Sequence, residues 1–135
     1  MSSPKRILIV EDDRVLRRAC EVGLRKRGYD VVTADNGVEG LERALEGGFD
    51  LILLDMLMPR MSGIDMLREL RAREKGGPHA PVLILSNSSK VGTRDESDRL
   101  GVAGYMVKAC LSLDTLGSIV ARLTSGAAGQ TGEAA

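Results

Sequence analysis

The sequence has no Trp, one Phe and two Tyr among its 135 residues. It therefore lacks the stacking platforms on which single-strand nucleic-acid binders hold bases. Charge of one sign is missing too. Lys and Arg number 19, as do Asp and Glu, so no global field draws the chain to nucleic acid or a membrane surface. No apolar run approaches the roughly 20 residues of a membrane helix, so no membrane insertion is expected. The N-terminal Met-Ser-Ser-Pro-Lys-Arg runs into a strand-like segment without a signal peptide's apolar region. Cys20 and Cys110 lie far apart, outside any CxxC pair and without a His beside them. Reduced, semi-buried thiols in a cytoplasmic protein are the expectation, rather than a disulfide. Neither GxGxxG nor GxxxxGK[ST] occurs, which leaves out the common nucleotide-binding loops.

What the chain does have is ordinary for one globular domain: 43% hydrophobic residues, 28% charged, and enough length to bury a core. Short aliphatic runs at Arg6–Val10, Asp30–Ala34, Phe49–Leu54, Pro81–Leu85 and Gly104–Val107 read as strands buried on both faces of a parallel sheet. Helical patterns alternate with them. Val15, Ala19 and Val22, with Leu16 and Cys20 beside them, mark the first. Val38, Leu41 and Leu45 mark the second, with Glu39 and Arg43 placed to pair at i,i+4. Ile64, Leu67 and Leu70 mark the third, capped by Ser62. Lys90–Leu100 is a weak fourth, with only Val91 and Leu100 as large apolar residues. Leu113, Leu116, Val120 and Leu123, capped by Ser112, mark the last.

The fold class expected is α/β: a (βα)5, doubly wound, flavodoxin-like five-stranded parallel sheet of order 2-1-3-4-5. It occupies residues 1–124, and the small, polar stretch 125–135 is expected to be a disordered tail.

Two aliphatic runs end in acids. Arg6–Val10 is followed by Glu11-Asp12-Asp13, and Leu51–Leu54 by Asp55. In a sheet of this order the switch point lies between strands 1 and 3, so these acids flank one crevice. Clustered carboxylates raise one another's pKa unless a cation joins them, and hard oxygen ligands favour Mg²⁺. A carboxylate beside Mg²⁺ can accept a phosphoryl group, provided a hydroxyl and a cation meet the new oxygens. Ser86 and Lys108, at the ends of strands 4 and 5, supply both.

On these residues the chain resembles the receiver domain of bacterial two-component response regulators, especially single-domain chemotaxis-type receivers. The motifs are Asp12-Asp13, Asp55-Met-Leu-Met58-Pro59 with Ser62-Gly63, Ser86, and Tyr105 three residues before Lys108. The match covers roughly residues 5 to 124. It implies that Asp55 takes phosphate from a histidine kinase or phosphotransfer protein, and that Asp13 and Asp55 ligate Mg²⁺ directly. Asp12 would act through water and the Leu57 carbonyl would be a further ligand. Lys108 would contact the phosphoryl oxygens, and Ser86 and Tyr105 would move as a switch. The face built by the fourth helix, fifth strand and fifth helix would then signal in trans to a downstream protein.

Three positions depart from the family pattern. Ala109 replaces the usual Pro, Asn87 replaces a small residue, and Leu57 is apolar where many relatives are polar. With Met1 at its start and no output domain, the chain reads as a complete small switch whose only catalysis is its own phosphorylation and dephosphorylation.

Other features receive plain readings. The basic residues Arg14, Arg17, Arg18, Arg25, Lys26 and Arg27 read first as a solvated face, and second as guidance toward an acidic partner such as the phosphodonor. His79 is a loop bystander, and Met56, Met58 and Met61 fill gaps. A dehalogenase-type aspartyl hydrolase would need a second Asp where Leu57 stands. The remaining rival is a phosphate-independent binding module that keeps the same fold.

Overall fold

The computed structural model describes residues 4–56, 58, 60–74, 80–86, 100–108 and 112–124. The five aliphatic runs form five parallel strands: β1 (Arg6–Val10), β2 (Asp30–Ala34), β3 (Leu51–Asp55), β4 (Val82–Ser86) and β5 (Gly104–Val107). They pair in the order β2-β1-β3-β4-β5. The described helices are α1 (Arg14–Lys26), α2 (Gly37–Glu46), α3 (Gly63–Glu74) and α4 (Leu113–Thr124). The weak fourth helix expected at Lys90–Leu100 lies outside the described residues except for Leu100, which sits in a turn. His79, Asn87, Ala109, Cys110 and the 125–135 tail also lie outside them.

Strand alternation divides the core between two layers. Ile7, Ile9, Leu51, Leu53, Leu83 and Leu85 face α1 and α4, and Leu8, Val10, Ile52, Leu54, Val82 and Ile84 face α2 and α3. All twelve are at most 2% exposed. At about 1.5–3 kcal/mol for each fully buried aliphatic side chain, this double-sided burial is what holds the sheet. Two strands shift by a residue or two at each end, to Leu51–Asp55 and Val82–Ser86. β3 begins at Leu51 rather than Phe49, because Asp50 turns its carboxylate onto the Arg6 amide at 2.8 Å. β4 runs Val82–Ser86 rather than Pro81–Leu85, since proline has no N–H to give the ladder.

The first helix buries a different stripe from the one its valines suggested. Cys20, Gly23 and Leu24 are buried with Leu16 packed beside them, while Val15 is 79% exposed and Val22 37%. The reason is α4. Leu113 lies against Gly23, where an added Cβ would come within 3.2 Å of it, and Arg27 lies across Gly117 to reach Asp114 at 2.9 Å. The two helices meet through glycine notches, a signal that apolar periodicity does not carry. The helix then stops in a Schellman turn, with Tyr29 N bonded to Leu24 O, Gly28 N to Arg25 O, and Gly28 at φ 95°. The predicted caps hold elsewhere. Ser62 Oγ accepts from Asp65 N at 3.2 Å, and Ser112 Oγ from Thr115 N at 3.1 Å. Glu39 and Arg43 pair at 3.7 Å.

Candidate functional site: an acidic crevice closed by one lysine

Register places the site. Val10 pairs with Leu54, so Glu11 emerges beside Asp55. Ser86 pairs with Val107, so Lys108 emerges just beyond Ser86. Glu11 continues the parity of Ile7 and Ile9, Asp55 that of Leu51 and Leu53, and Lys108 that of Met106. All three therefore lean to the α1/α4 side of the sheet edge. The lysine stem spans β4 to reach them. Nζ stands 3.0 Å from both oxygens of Glu11, donating to Oε2, and 3.0 Å from Asp55 Oδ1. Ser86 and Tyr105 fall on the opposite parity, where Tyr105 packs beside the core under α2 and α3. The structure thus gathers Asp12, Asp55 and Lys108 at one point, with Ser86 at the neighbouring strand end.

The two consecutive aspartates have separate places. Asp13 is the N-cap of α1, and its Oδ1 accepts from Val15 N at 3.0 Å and Leu16 N at 3.1 Å. The three acids that share a centre are Glu11, Asp12 and Asp55, each offering an oxygen within 4.8 Å of the others. Glu11 is fully buried, Asp55 nearly so, and Asp12 is exposed at the mouth. Sequence reasoning put Glu11 at the crevice but gave it no role, naming Asp13 with Asp12 and Asp55 for the metal instead. The available signal was parity: 7, 9 and 11 lie on one side, and an acid just before a helical run is an N-cap candidate. Leu57, expected to offer its carbonyl, lies outside the described residues.

The electrostatics are those of a site short of positive charge. Burial pushes Asp55 up from its ordinary 3.8 to about 7. The hydrogen bond from Lys108 opposes this, and Asp12 and Glu11 push further up. Burial alone would lower the Lys108 pKa, but its bonds to Glu11 and Asp55 outweigh that and hold it raised. Burial, with help from Glu11 and against Lys108, lifts the Cys20 thiol to about 11, so it is a neutral core residue rather than a nucleophile. Among the described residues, one ammonium against three carboxylates leaves two formal negative charges when all are ionised. Glu11 Oε1 is buried without an aligned hydrogen bond among the described residues. Both features fit a divalent, oxygen-seeking cation.

After the acceptor, backbone packs closely on backbone at two glycines. Gly63 N donates to Met56 O at 2.9 Å, and a Cβ on Gly63 would fall 2.1 Å from the Asp55 carbonyl oxygen. On the far side a Cβ on Gly37 would fall 2.3 Å from Met61 O. Arg60, between them, takes φ 70°. Met56 is buried and Met58 and Met61 pack against the α2/α3 core, consistent with filling gaps.

This parallel sheet with a carboxylate crevice at its switch point defines a flavodoxin-like, doubly wound domain. A model of the "Response regulator receiver domain" family matches residues 7–121, and the chain belongs to that family. The cell cycle transcriptional regulator CtrA of Caulobacter vibrioides is 40% identical over 103 residues, covering 76% of this chain and 43% of CtrA. The chain thus spans about half the length, or less, of the curated relatives it matches. Among solved structures, the Vibrio cholerae chemotaxis protein CheY4 superposes with a TM-score of 0.80 at 28% identity, covering 90% of this chain and 99% of CheY4. TrrA of Thermotoga maritima, solved in complex with Mg²⁺-BeF, gives 0.75 at 34% identity over 88% and 98%.

Proposed function

We propose that this receiver domain is a phosphorylation switch whose acceptor is Asp55. The observation that carries the reading is the Lys108 ammonium held 3.0 Å from Asp55 where three carboxylates converge. Glu11, Asp12 and Asp55 would hold Mg²⁺, rather than the set with Asp13 as a direct ligand, because Asp13 Oδ1 is engaged as a helix cap. Bound there, Mg²⁺ supplies charge neutralisation for the transferring phosphoryl group and its donor. The residues do the rest. A carboxylate oxygen of Asp55 forms the new O–P bond as the bond from phosphorus to the donor breaks. Lys108 meets the charge on the phosphoryl oxygens, and Glu11 keeps the lysine in place. Ser86, at the end of β4, is the hydroxyl that a phosphoryl group on Asp55 would draw in, with Tyr105 behind it as the second member of the switch.

The donor is a histidine kinase or histidine phosphotransfer protein, and its docking surface is α1. Val15 is 79% exposed between Arg14 and Arg18, beside a hollow of about 710 Å³ that also includes Ala19 and Thr33. An exposed valine ringed by arginines fits an amphipathic, acidic helix better than open water does. The output surface is the face around β5 and α4, which meets a downstream protein. The setting is the cytoplasm, and the chain acts as a switch whose only reactions are its own phosphorylation and dephosphorylation.

Incubation with acetyl phosphate and Mg²⁺, read by intact mass, tests this. One added phosphoryl group on the wild type, absent from Asp55→Asn, is the expected result. No addition, with no Mg²⁺ binding, favours the phosphate-independent binding module.

A further inference from the structure

In the loop that carries Glu11 and Asp12, two amides and two carbonyls have assigned partners. Glu11 N donates to Ala34 O at 3.0 Å, and Asp13 N donates to Glu11 Oε2 at 3.0 Å. The Glu11 and Asp12 carbonyls both accept from a single side chain. Arg17 Nη1 lies 2.9 Å from Glu11 O and 3.5 Å from Asp12 O. Arg17 stands one turn into α1 and is half-buried, unlike its exposed neighbours Arg14 and Arg18. Its own amide is bonded to Asp13 O at 2.8 Å, so its backbone is fixed by the same loop its side chain grips.

We infer that Arg17 is a positioning residue for the cation site, holding the Glu11–Asp12 carbonyls so that their carboxylates converge with Asp55. It touches neither the phosphoryl group nor the cation. The inference rests on the Mg²⁺ reading above. Two physical roles for Arg17 predict opposite signs. As a nearby positive charge it would repel a divalent cation, and its removal would tighten Mg²⁺ binding. As a clamp on the loop it organises the ligands, and its removal would weaken binding, as loss of outer-shell partners does by about 10–100-fold at metal sites. The geometry favours the clamp, because the guanidinium faces carbonyls rather than carboxylates. A lysine at this position keeps the charge and one donor nitrogen but loses the planar pre-organisation that holds Nη1 against these carbonyls.

The test is Mg²⁺ affinity by calorimetry for wild type, Arg17→Ala, Arg17→Lys and Arg43→Ala. Arg43 pairs with Glu39 and Glu46 on α2, so its removal changes net charge equally away from this loop. The expected result is about tenfold weaker binding for Arg17→Ala, an intermediate value for Arg17→Lys, and a change under twofold for Arg43→Ala. Amide exchange at Asp13 in the metal-free protein should also quicken in Arg17→Ala, since its bond to Glu11 loosens. Unchanged or tighter Mg²⁺ binding by Arg17→Ala, or an equal loss in Arg43→Ala, overturns the clamp. A wild type that binds no Mg²⁺ overturns the cation site and the clamp together, and is recognised by the wild-type titration alone. If Arg17→Ala does not fold, the comparison of Arg17→Lys with wild type decides.

Discussion

Replacing Asp55 by Asn should stabilise the metal-free protein, and by an amount that depends on pH. Folded Asp55 holds its proton more tightly than the unfolded chain does, with a pKa moved from 3.8 to about 7. The unfolded state therefore binds fewer protons between about pH 4 and 7, and stability falls as pH rises through about 7. At about 1.4 kcal/mol per tenfold change in proton affinity, ionised Asp55 costs the fold roughly 4 kcal/mol at pH 8 and less than half of that at pH 5. Asn removes the charge, and its amide oxygen keeps an acceptor for Lys108. The variant should exceed wild type by about 3 kcal/mol at pH 8, or roughly 10 °C in Tm, with the gap shrinking by more than half at pH 5. Thermal melts in EDTA at the two pH values measure this. Equal melting temperatures at pH 8, or a gap that does not narrow at pH 5, would refute the claim that burial among like charges strains this carboxylate.

Four further outcomes follow from the same geometry. Asp13→Ala should lose about 1 kcal/mol of stability with the α1 cap but leave Mg²⁺ affinity within about twofold, whereas Asp12→Ala should weaken Mg²⁺ binding more than tenfold without loss of stability; denaturant titration and calorimetry separate the two. Lys108→Met strands Glu11 and Asp55 without their cation and should cost about 3 kcal/mol at pH 8, with Mg²⁺ recovering part of it in thermal melts. Gly63→Ala drives a methyl into the Asp55 carbonyl and should cost about 2–3 kcal/mol, together with at least a tenfold slower phosphorylation by acetyl phosphate at saturating Mg²⁺. Val15→Asp should slow transfer from a phosphorylated histidine donor at least tenfold while leaving acetyl phosphate kinetics unchanged, a split that only a docking role for α1 produces.

How much of this was legible in the sequence depends on which physical signal carried it. Strands β1, β2 and β5 were read to the residue, because a run such as Arg-Ile-Leu-Ile-Val between polar neighbours has little alternative to burial on both faces. Strand order followed from the alternation of elements and the handedness of crossovers. The meeting of Asp12, Asp55 and Lys108, with Ser86 at the neighbouring strand end, follows from that order in turn. What one-dimensional reading missed was side-chain direction. Glu11, Asp12 and Asp13 are indistinguishable as acids, and only strand parity and the helix start divide them into lysine partner, mouth and cap. The buried face of α1 was misplaced for a related reason. Val15, Ala19 and Val22 repeat as well as Leu16, Cys20 and Leu24 do, and the choice was made by Leu113 and Arg27 seated over Gly23 and Gly117. Notches for another helix leave no periodic trace.

The most direct test of the central claim is to locate the phosphoryl group. Protein phosphorylated by acetyl phosphate with Mg²⁺ is reduced with borohydride, which converts an aspartyl phosphate to homoserine, and its peptides are sequenced by mass spectrometry. The account predicts homoserine at position 55 and at no other acid. Modification at Asp12 or Asp13 instead, or an unmodified Asp55 in protein shown to bind Mg²⁺, would contradict it.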